Sequence, residues 1–204
     1  MNLKIYLSGS IKKGDKDESK KSYWTDSDIS ILQRILCPKY DLTILNPAVR
    51  SDDLSDYKST LGRDLLQVYI SDLIIVDARD KKGIGIGSEM TFAKVNAIPV
   101  ISVSPQNSQY NRINFEYLGQ RMDKWIHPFI GGLSDYLVES VEEAATLIIN
   151  NFPFKKTEIR HKDYLYDAMQ YYVDTQLKAD TEMYNLVKDD MEINKRISTI
   201  KEYL

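Results

Sequence analysis

The sequence predicts an open, doubly wound α/β domain followed by a helical extension. Three observations predict it. Short apolar runs alternate with helix-like stretches up to about residue 152. Two of those runs, DLIIVD at 72–77 and IPVISV at 98–103, are apolar almost throughout, which suits strands covered on both faces, as in parallel sheets. After Pro153 neither glycine nor proline occurs, so the tail follows a different pattern.

The elements follow in order. The first strand is expected at 3–8 (LKIYLS) and the second at 40–46 (YDLTILN). The third and fourth are the runs at 72–77 and 98–103, and a fifth is expected near 135–138 (DYLV). Helices are expected between them at 25–37, 56–71 and 88–97, with Ser88 capping the third. In the second helix, Leu65, Leu66, Tyr69 and Ile70 form a stripe expected to face the core. Ser140 and Glu143 have the capping-box spacing for a helix from about 140 to 151. The α/β domain is therefore placed at 1–152 and the extension at 153–204. In the extension, Leu165, Met169, Tyr172 and later Ile193, Ile197, Ile200 and Leu204 recur at steps of three and four. That pattern predicts one long helix or a pair, packing either on its own domain or on a partner subunit.

Composition narrows the function. Of the 204 residues, 43% are hydrophobic, ample for a core. No run of about 18 apolar residues occurs, so no membrane span is expected. The opening MNLKIYLSGS reads as a strand and not as a secretion signal. Cys37 stands alone, which suits a reducing cytoplasm. One cysteine and the two histidines, His127 and His161, are too few and too scattered for a zinc site. No metal and no cofactor is expected. A net charge of −3 argues against a protein that coats a nucleic-acid polymer.

The stretch KGIGIGSEM at 82–90 concentrates the candidate chemistry. It follows a strand at the end where ligands sit in open α/β sheets. Gly83, Gly85 and Gly87 are expected to turn the backbone sharply and let a ligand approach it. The spacing is neither a dinucleotide fingerprint nor a P-loop. Glu89 is expected in the first helical turn, where the helix dipole favours an ionised carboxylate, the state a nucleophile needs. Asp64, in the preceding helix, is either solvated or held at the same place. The first strand ends in YLSGSIKKG. There Gly9 permits close approach, Ser8 and Ser10 offer hydroxyls, and Lys12 and Lys13 either meet an anion or sit in an exposed charged loop.

Together these elements resemble the nucleoside 2-deoxyribosyltransferase family, including its 2'-deoxynucleoside 5'-monophosphate N-hydrolase branch. The residues that carry the resemblance are YLSGSI (6–11), the aspartate of RDLLQVYISDLIIVD (63–77) and GIGIGSEM with the segment TFAKVNAIPVI after it (83–101). The resemblance covers roughly residues 3–103. It implies a flavodoxin-like sheet of about five strands and homo-oligomers with shared sites. It also implies a small-molecule nucleoside or nucleotide substrate. Glu89 takes the role of the glutamate that attacks C1' and forms a glycosyl-enzyme. Asp64 takes that of the aspartate assisting at the base or positioning the sugar, and Tyr6 that of the tyrosine orienting the glutamate. Where transferases of the family commonly carry an acidic base contact, this chain has Gly83. The loop after strand one is similar to the phosphate-binding loop of the hydrolase branch, with lysines in place of arginine. Transfer of the sugar mainly to water is therefore expected, with base exchange as the alternative.

A non-catalytic nucleotide-binding or sensing module is a further alternative, since it would keep the glycine-rich segment without needing Asp64 and Glu89 together. A receiver-like domain is excluded, because SGSI at 8–11 holds no acidic pair. In KWIHPFIGG, Trp125 and Phe129 either stack on a base or pack in the core.

Overall fold

The computed structural model describes residues 1–11, 23–80 and 83–203. These fall into two compact units, Met1–Ile159 and Arg160–Leu204.

The first unit is a flavodoxin-like α/β domain. Five parallel strands form one sheet: β1 (Asn2–Ser8), β2 (Asp41–Leu45), β3 (Leu73–Asp77), β4 (Val100–Val103) and β7 (Tyr136–Val138). Their order is β2-β1-β3-β4-β7, so the winding direction reverses between β1 and β3. Ligands of such sheets bind outside the carboxyl ends of the strands at this reversal. β3 and β4 are buried along their whole length, as their unbroken apolar runs require.

The side-chain period of two divides β1 between two faces. Leu3, Ile5 and Leu7 join the main core with Leu32 and Leu36 of α1 (Asp26–Leu36) and with Val141, Ala144, Ala145 and Ile148 of α5 (Val141–Asn151). Tyr6 and Ser8 point to the other face, where α3 (Ile84–Val95) lies beside α2 (Tyr57–Tyr69). Thr25 caps α1 in a complete capping box with Asp28. Ser140 caps α5 through the amide of Glu143, whose own carboxylate reaches back to the amide of Glu139. A buried pair between Lys94 of α3 and Asp135, just before β7, ties helix to sheet, and Asp135 also accepts from the Val100 amide at 2.7 Å.

Four details differ from the sequence expectations. The third helix begins at Ile84, with Gly83 as its cap, and not at Ser88. Packing on the sheet overrides the poor helix propensity of Gly85 and Gly87. Leu66, Tyr69 and Ile70 are exposed, so most of the stripe expected in the core lies on the surface. An antiparallel hairpin of β5 (Asn111–Tyr117) and β6 (Gln120–Ile126), followed by α4 (Pro128–Leu133), is inserted before β7. Its turn residues Leu118 and Gly119 both have positive φ, as a type I′ turn demands. Finally, the first unit runs past residue 152 to Ile159, because Phe152 and Phe154 pack on the core and the Tyr136 hydroxyl reaches Glu158 at 3.2 Å.

The second unit is neither one helix nor a pair. It contains α6 (Lys162–Thr175), α7 (Thr181–Val187), α8 (Met191–Ser198) and a terminal 3-10 turn. Asp180 and Asp190 each cap a new helix with a side-chain oxygen, which restarts the chain without glycine or proline. Tyr166 stacks on Tyr203 with centroids 4.4 Å apart. Among the described residues, no helix is long and apolar enough to cross a membrane.

Candidate active site

β1 ends in Tyr-Leu-Ser, which places Tyr6 and Ser8 two residues apart on one face. Both are fully buried. Glu89 meets them from α3. The Tyr6 hydroxyl donates to Glu89 Oε1 at 3.0 Å, and Ser8 Oγ donates to Oε2 at 2.5 Å. Each carboxylate oxygen is thus held by its own hydroxyl, which sets the plane of the group at the carboxyl end of β1.

The electrostatics of this carboxylate are opposed. Burial pushes its pKa up, the Ser8 and Tyr6 hydrogen bonds pull it down, and the charge of Asp64 raises it again. The balance stands at about 7 against an ordinary 4.5. Burial, then the neighbouring Glu89, drive the Tyr6 phenol far above its usual value, so it remains a proton donor. Glu89 lies in the second turn of α3, because the helix starts five residues before it. The dipole acts chiefly within the first turn, so the dipole argument made from the sequence does not apply. The hydroxyl pair provides the stabilisation instead.

The glycines also act differently from expectation. None of Gly83, Gly85 and Gly87 has a positive φ. A Cβ at Gly83 or Gly87 would meet nothing within 4 Å, and one at Gly85 would meet only Glu89 Oε1 at 3.9 Å. Their effect is to keep the first turns of α3 bare beside the carboxylate. Gly9 is the sterically required one. A Cβ there would lie 2.8 Å from the Trp24 ring.

Trp24 belongs to a clamp that sequence reasoning missed. Its indole N–H donates to the Ser8 carbonyl at 3.0 Å, and the Arg79 guanidinium lies over its ring, 5.4 Å from the centroid. Arg79 donates to both oxygens of Asp28 at 3.0 Å and to Asp77 at 2.8 Å. Burial works against ionisation of Asp28, but Arg79 and Thr25 hold it below the ordinary carboxylate value. A carboxylate and an arginine 51 residues apart leave no local sequence signature.

Of the other residues singled out in the sequence, Asp64 is half-buried on α2 and accepts from Arg50 at 3.4 Å and Arg63 at 3.3 Å. It is therefore ion-paired and not simply solvated. Ser8, expected to face a substrate, is buried against Glu89 instead. Ser10 forms a bridge with Tyr23. Lys12 and Lys13 lie outside the described residues. Trp125 sits in an aromatic cluster with Phe115, Tyr117 and His127, and Phe129 is exposed.

A cavity of about 550 Å³ lies away from the carboxylate. It is an open groove between α2 and α3 lined by Leu61, Leu65, Ile84, Phe92, Val95 and Phe129 among others, with no ionisable side chain. Among the described residues, no group of three metal-ligating side chains is present.

No protein-family model matches the chain, and no curated protein does. Among solved structures, the chain is similar to the 2-deoxyribosyltransferase of the psychrotolerant bacterium Bacillus psychrosaccharolyticus, described as a biocatalyst for the synthesis of nucleosides. That likeness has 15% identity and a TM-score of 0.36, and covers 56% of this chain and 87% of the other. At that score the likeness is too slight to assign an activity.

Proposed function

We propose that this protein cleaves the N-glycosidic bond of a 2'-deoxynucleoside or its 5'-monophosphate, with Glu89 as nucleophile. The observation that carries the reading is the pair of hydroxyl donors on a half-buried carboxylate with a pKa of about 7, at the reversal point of the sheet. Perturbed carboxylates in such positions suit catalysis near neutral pH. As the C1'–N bond breaks, its electron pair leaves with the base. Positive charge develops at C1' and is captured by the Glu89 carboxylate as an ester. Water then attacks C1', releasing the sugar and regenerating the carboxylate. Tyr6 and Ser8 hold the attacking oxygens in place, and Asp64 assists at the base or the sugar.

Water is the favoured acceptor in this reading. Base exchange requires a second base to be held at its edge while the ester waits. Gly83 offers no side chain for that, whereas an acidic contact would. Lys12 and Lys13 are proposed to meet a 5'-phosphate. The exposed apolar groove between α2 and α3 is proposed to face another copy of the chain in a homo-oligomer.

The test is a chromatographic screen of nucleosides and their 5'-monophosphates for released free base, with Glu89→Gln as the control. Release by the wild-type chain and its loss by orders of magnitude in the variant are expected. No release from any substrate would leave a nucleotide-binding module as the better reading. Adding an excess of a second base separates the acceptors. An exchanged nucleoside formed faster than free sugar would make the protein a transferase.

A further inference from the structure

An arginine cluster adjoins the site, and the nucleophile's chemistry makes no use of it. β2 ends at Leu45 in register with Tyr6, so the loop after β2 leaves the sheet beside the Tyr6–Glu89 pair. Arg50 of that loop donates through Nε and Nη2 to Asp52, at 2.8 and 2.5 Å, and through Nη1 to Asp64 at 3.4 Å. Its side chain is only 10% exposed. Arg63 of α2 also reaches Asp64 at 3.3 Å, and donates to the Pro47 and Val49 carbonyls at 3.5 and 2.7 Å, which holds the loop against the helix. Val49, Arg50, Ser51, Asp52 and Arg63 line a cavity of about 390 Å³. A guanidinium carries five N–H groups. Three of those on Arg50 are engaged, leaving one each on Nη1 and Nη2 without a partner among the described residues.

Building on the glycosidic reading above, we propose that this cavity takes the departing base and that Arg50 reads it, selecting a 6-oxopurine over a 6-aminopurine. A 6-oxopurine presents two neighbouring acceptors, O6 and N7, which match the paired donors of a guanidinium. A 6-aminopurine presents N–H donors at the first of these positions, which a cation cannot accept. The same contact serves the reaction. When the C1'–N9 bond breaks, its electron pair passes to N9 and spreads over N7 and O6, where the guanidinium stabilises it until the base takes a proton from water. Asp52 and Asp64 fix the plane of Arg50 beforehand, so little side-chain freedom is lost on binding. Selection thus rests on a cation in the loop after β2, in a chain whose glycine-rich segment lacks an acidic contact.

The test is calorimetric titration of free hypoxanthine and free adenine into the full chain, for wild type, Arg50→Met and Arg50→Lys. Wild type is expected to bind hypoxanthine roughly 10- to 100-fold more tightly than adenine. Arg50→Met is expected to bring the two toward parity. Arg50→Lys keeps the charge that Asp52 and Asp64 require, and is expected to fold like wild type and still lose most of the preference. Equal or tighter binding of adenine by wild type, no binding of hypoxanthine, or an undiminished preference in a folded Arg50→Lys would overturn the assignment. The base-release screen reads the other question. Cleavage without a base preference retires Arg50 and leaves the reaction, whereas a hypoxanthine preference without cleavage retires the reaction and supports the subsite.

Discussion

Ser8 and Glu89 stand 81 positions apart in the chain and meet through a hydrogen bond of 2.5 Å. The contact needs three things at once. Ser8 must occupy the last position of β1, facing α3 and not the core. Its carbonyl must be held, which the Trp24 indole does at 3.0 Å. And α3 must start early enough to place Glu89 in its second turn. Together with Tyr6, Ser8 stabilises the charged form of a group that burial would keep protonated.

Removing either hydroxyl should move the pH dependence upward. Both hydrogen bonds lower the Glu89 pKa, which stands at about 7. A nucleophilic carboxylate must be ionised, so kcat/KM should rise with pH through that value. In Tyr6→Phe and Ser8→Ala the rising limb should shift to higher pH. Profiles of kcat/KM across pH 5 to 9 (roughly the span in which such a group titrates) check this. Limbs that stay in place in both variants would show that the two hydroxyls do not control the ionisation of Glu89.

Asp64→Asn should move the same limb the opposite way. The negative charge of Asp64 raises the Glu89 pKa, so its removal should lower it. The rate at high pH should fall as well if Asp64 assists the departing base. A limb displaced to lower pH, with reduced plateau, is the expected outcome. An unchanged profile would return Asp64 to a purely structural role with Arg50 and Arg63.

Glu89→Gln should stabilise the fold above neutral pH. The folded pKa of about 7 exceeds the ordinary 4.5 expected of the unfolded chain. Between these values the folded state binds more protons, so the wild type loses stability as pH rises from the lower to the upper one. The loss is complete above pH 7 and is on the order of a few kcal/mol. Glutamine carries no titration. Its melting temperature should therefore exceed that of wild type at pH 8, with the difference closing toward pH 4. A variant no more stable than wild type at pH 8 would contradict the burial of a charged Glu89.

Two glycines beside the site should respond in opposite directions. Gly87→Ala adds a Cβ that meets nothing within 4 Å in a helical position, and should stabilise α3 by about 0.5–1 kcal/mol. Gly9→Ala drives a Cβ to 2.8 Å from two atoms of the Trp24 ring, and should cost about 1–3 kcal/mol while loosening the bond to the Ser8 carbonyl. Thermal melts of the two variants decide the matter, and a shift of the same sign in both would refute the steric reading.

The apolar flank offers a further test. Ile84 is 93% exposed and lines the apolar groove with Leu61 of α2, and Leu66, Tyr69 and Ile70 of the same segment are exposed as well. Exposed apolar surface of this kind is what the proposed assembly would cover. Light scattering of the wild type at micromolar concentration should show an oligomer, and Ile84→Glu combined with Leu61→Glu should release smaller species. A wild-type monomer would remove the proposed assembly.

The strands were legible because burial on both faces imposes a continuous apolar run, and that constraint is written in consecutive residues such as Leu73 to Val76. Caps were legible for the same reason of locality. Ser140 and Glu143 act within one turn of helix. The start of α3 was not, because Gly85 and Gly87 argue against a helix by propensity while packing on the sheet outweighs about 1 kcal/mol each. Periodicity in α2 revealed an apolar stripe through Leu66, Tyr69 and Ile70, but not whether anything covers it, since that depends on what lies opposite in space. The chain order of Tyr6, Ser8, Asp64 and Glu89 showed candidates. Which hydroxyl meets which carboxylate oxygen, and which arginines hold Asp64, Asp52 and Asp28, was decided only when the sheet brought β1, β3 and the loop after β2 to one edge. Hydrogen bonds and ion pairs act over about 3–4 Å of space whatever their distance along the chain, so no local pattern records them.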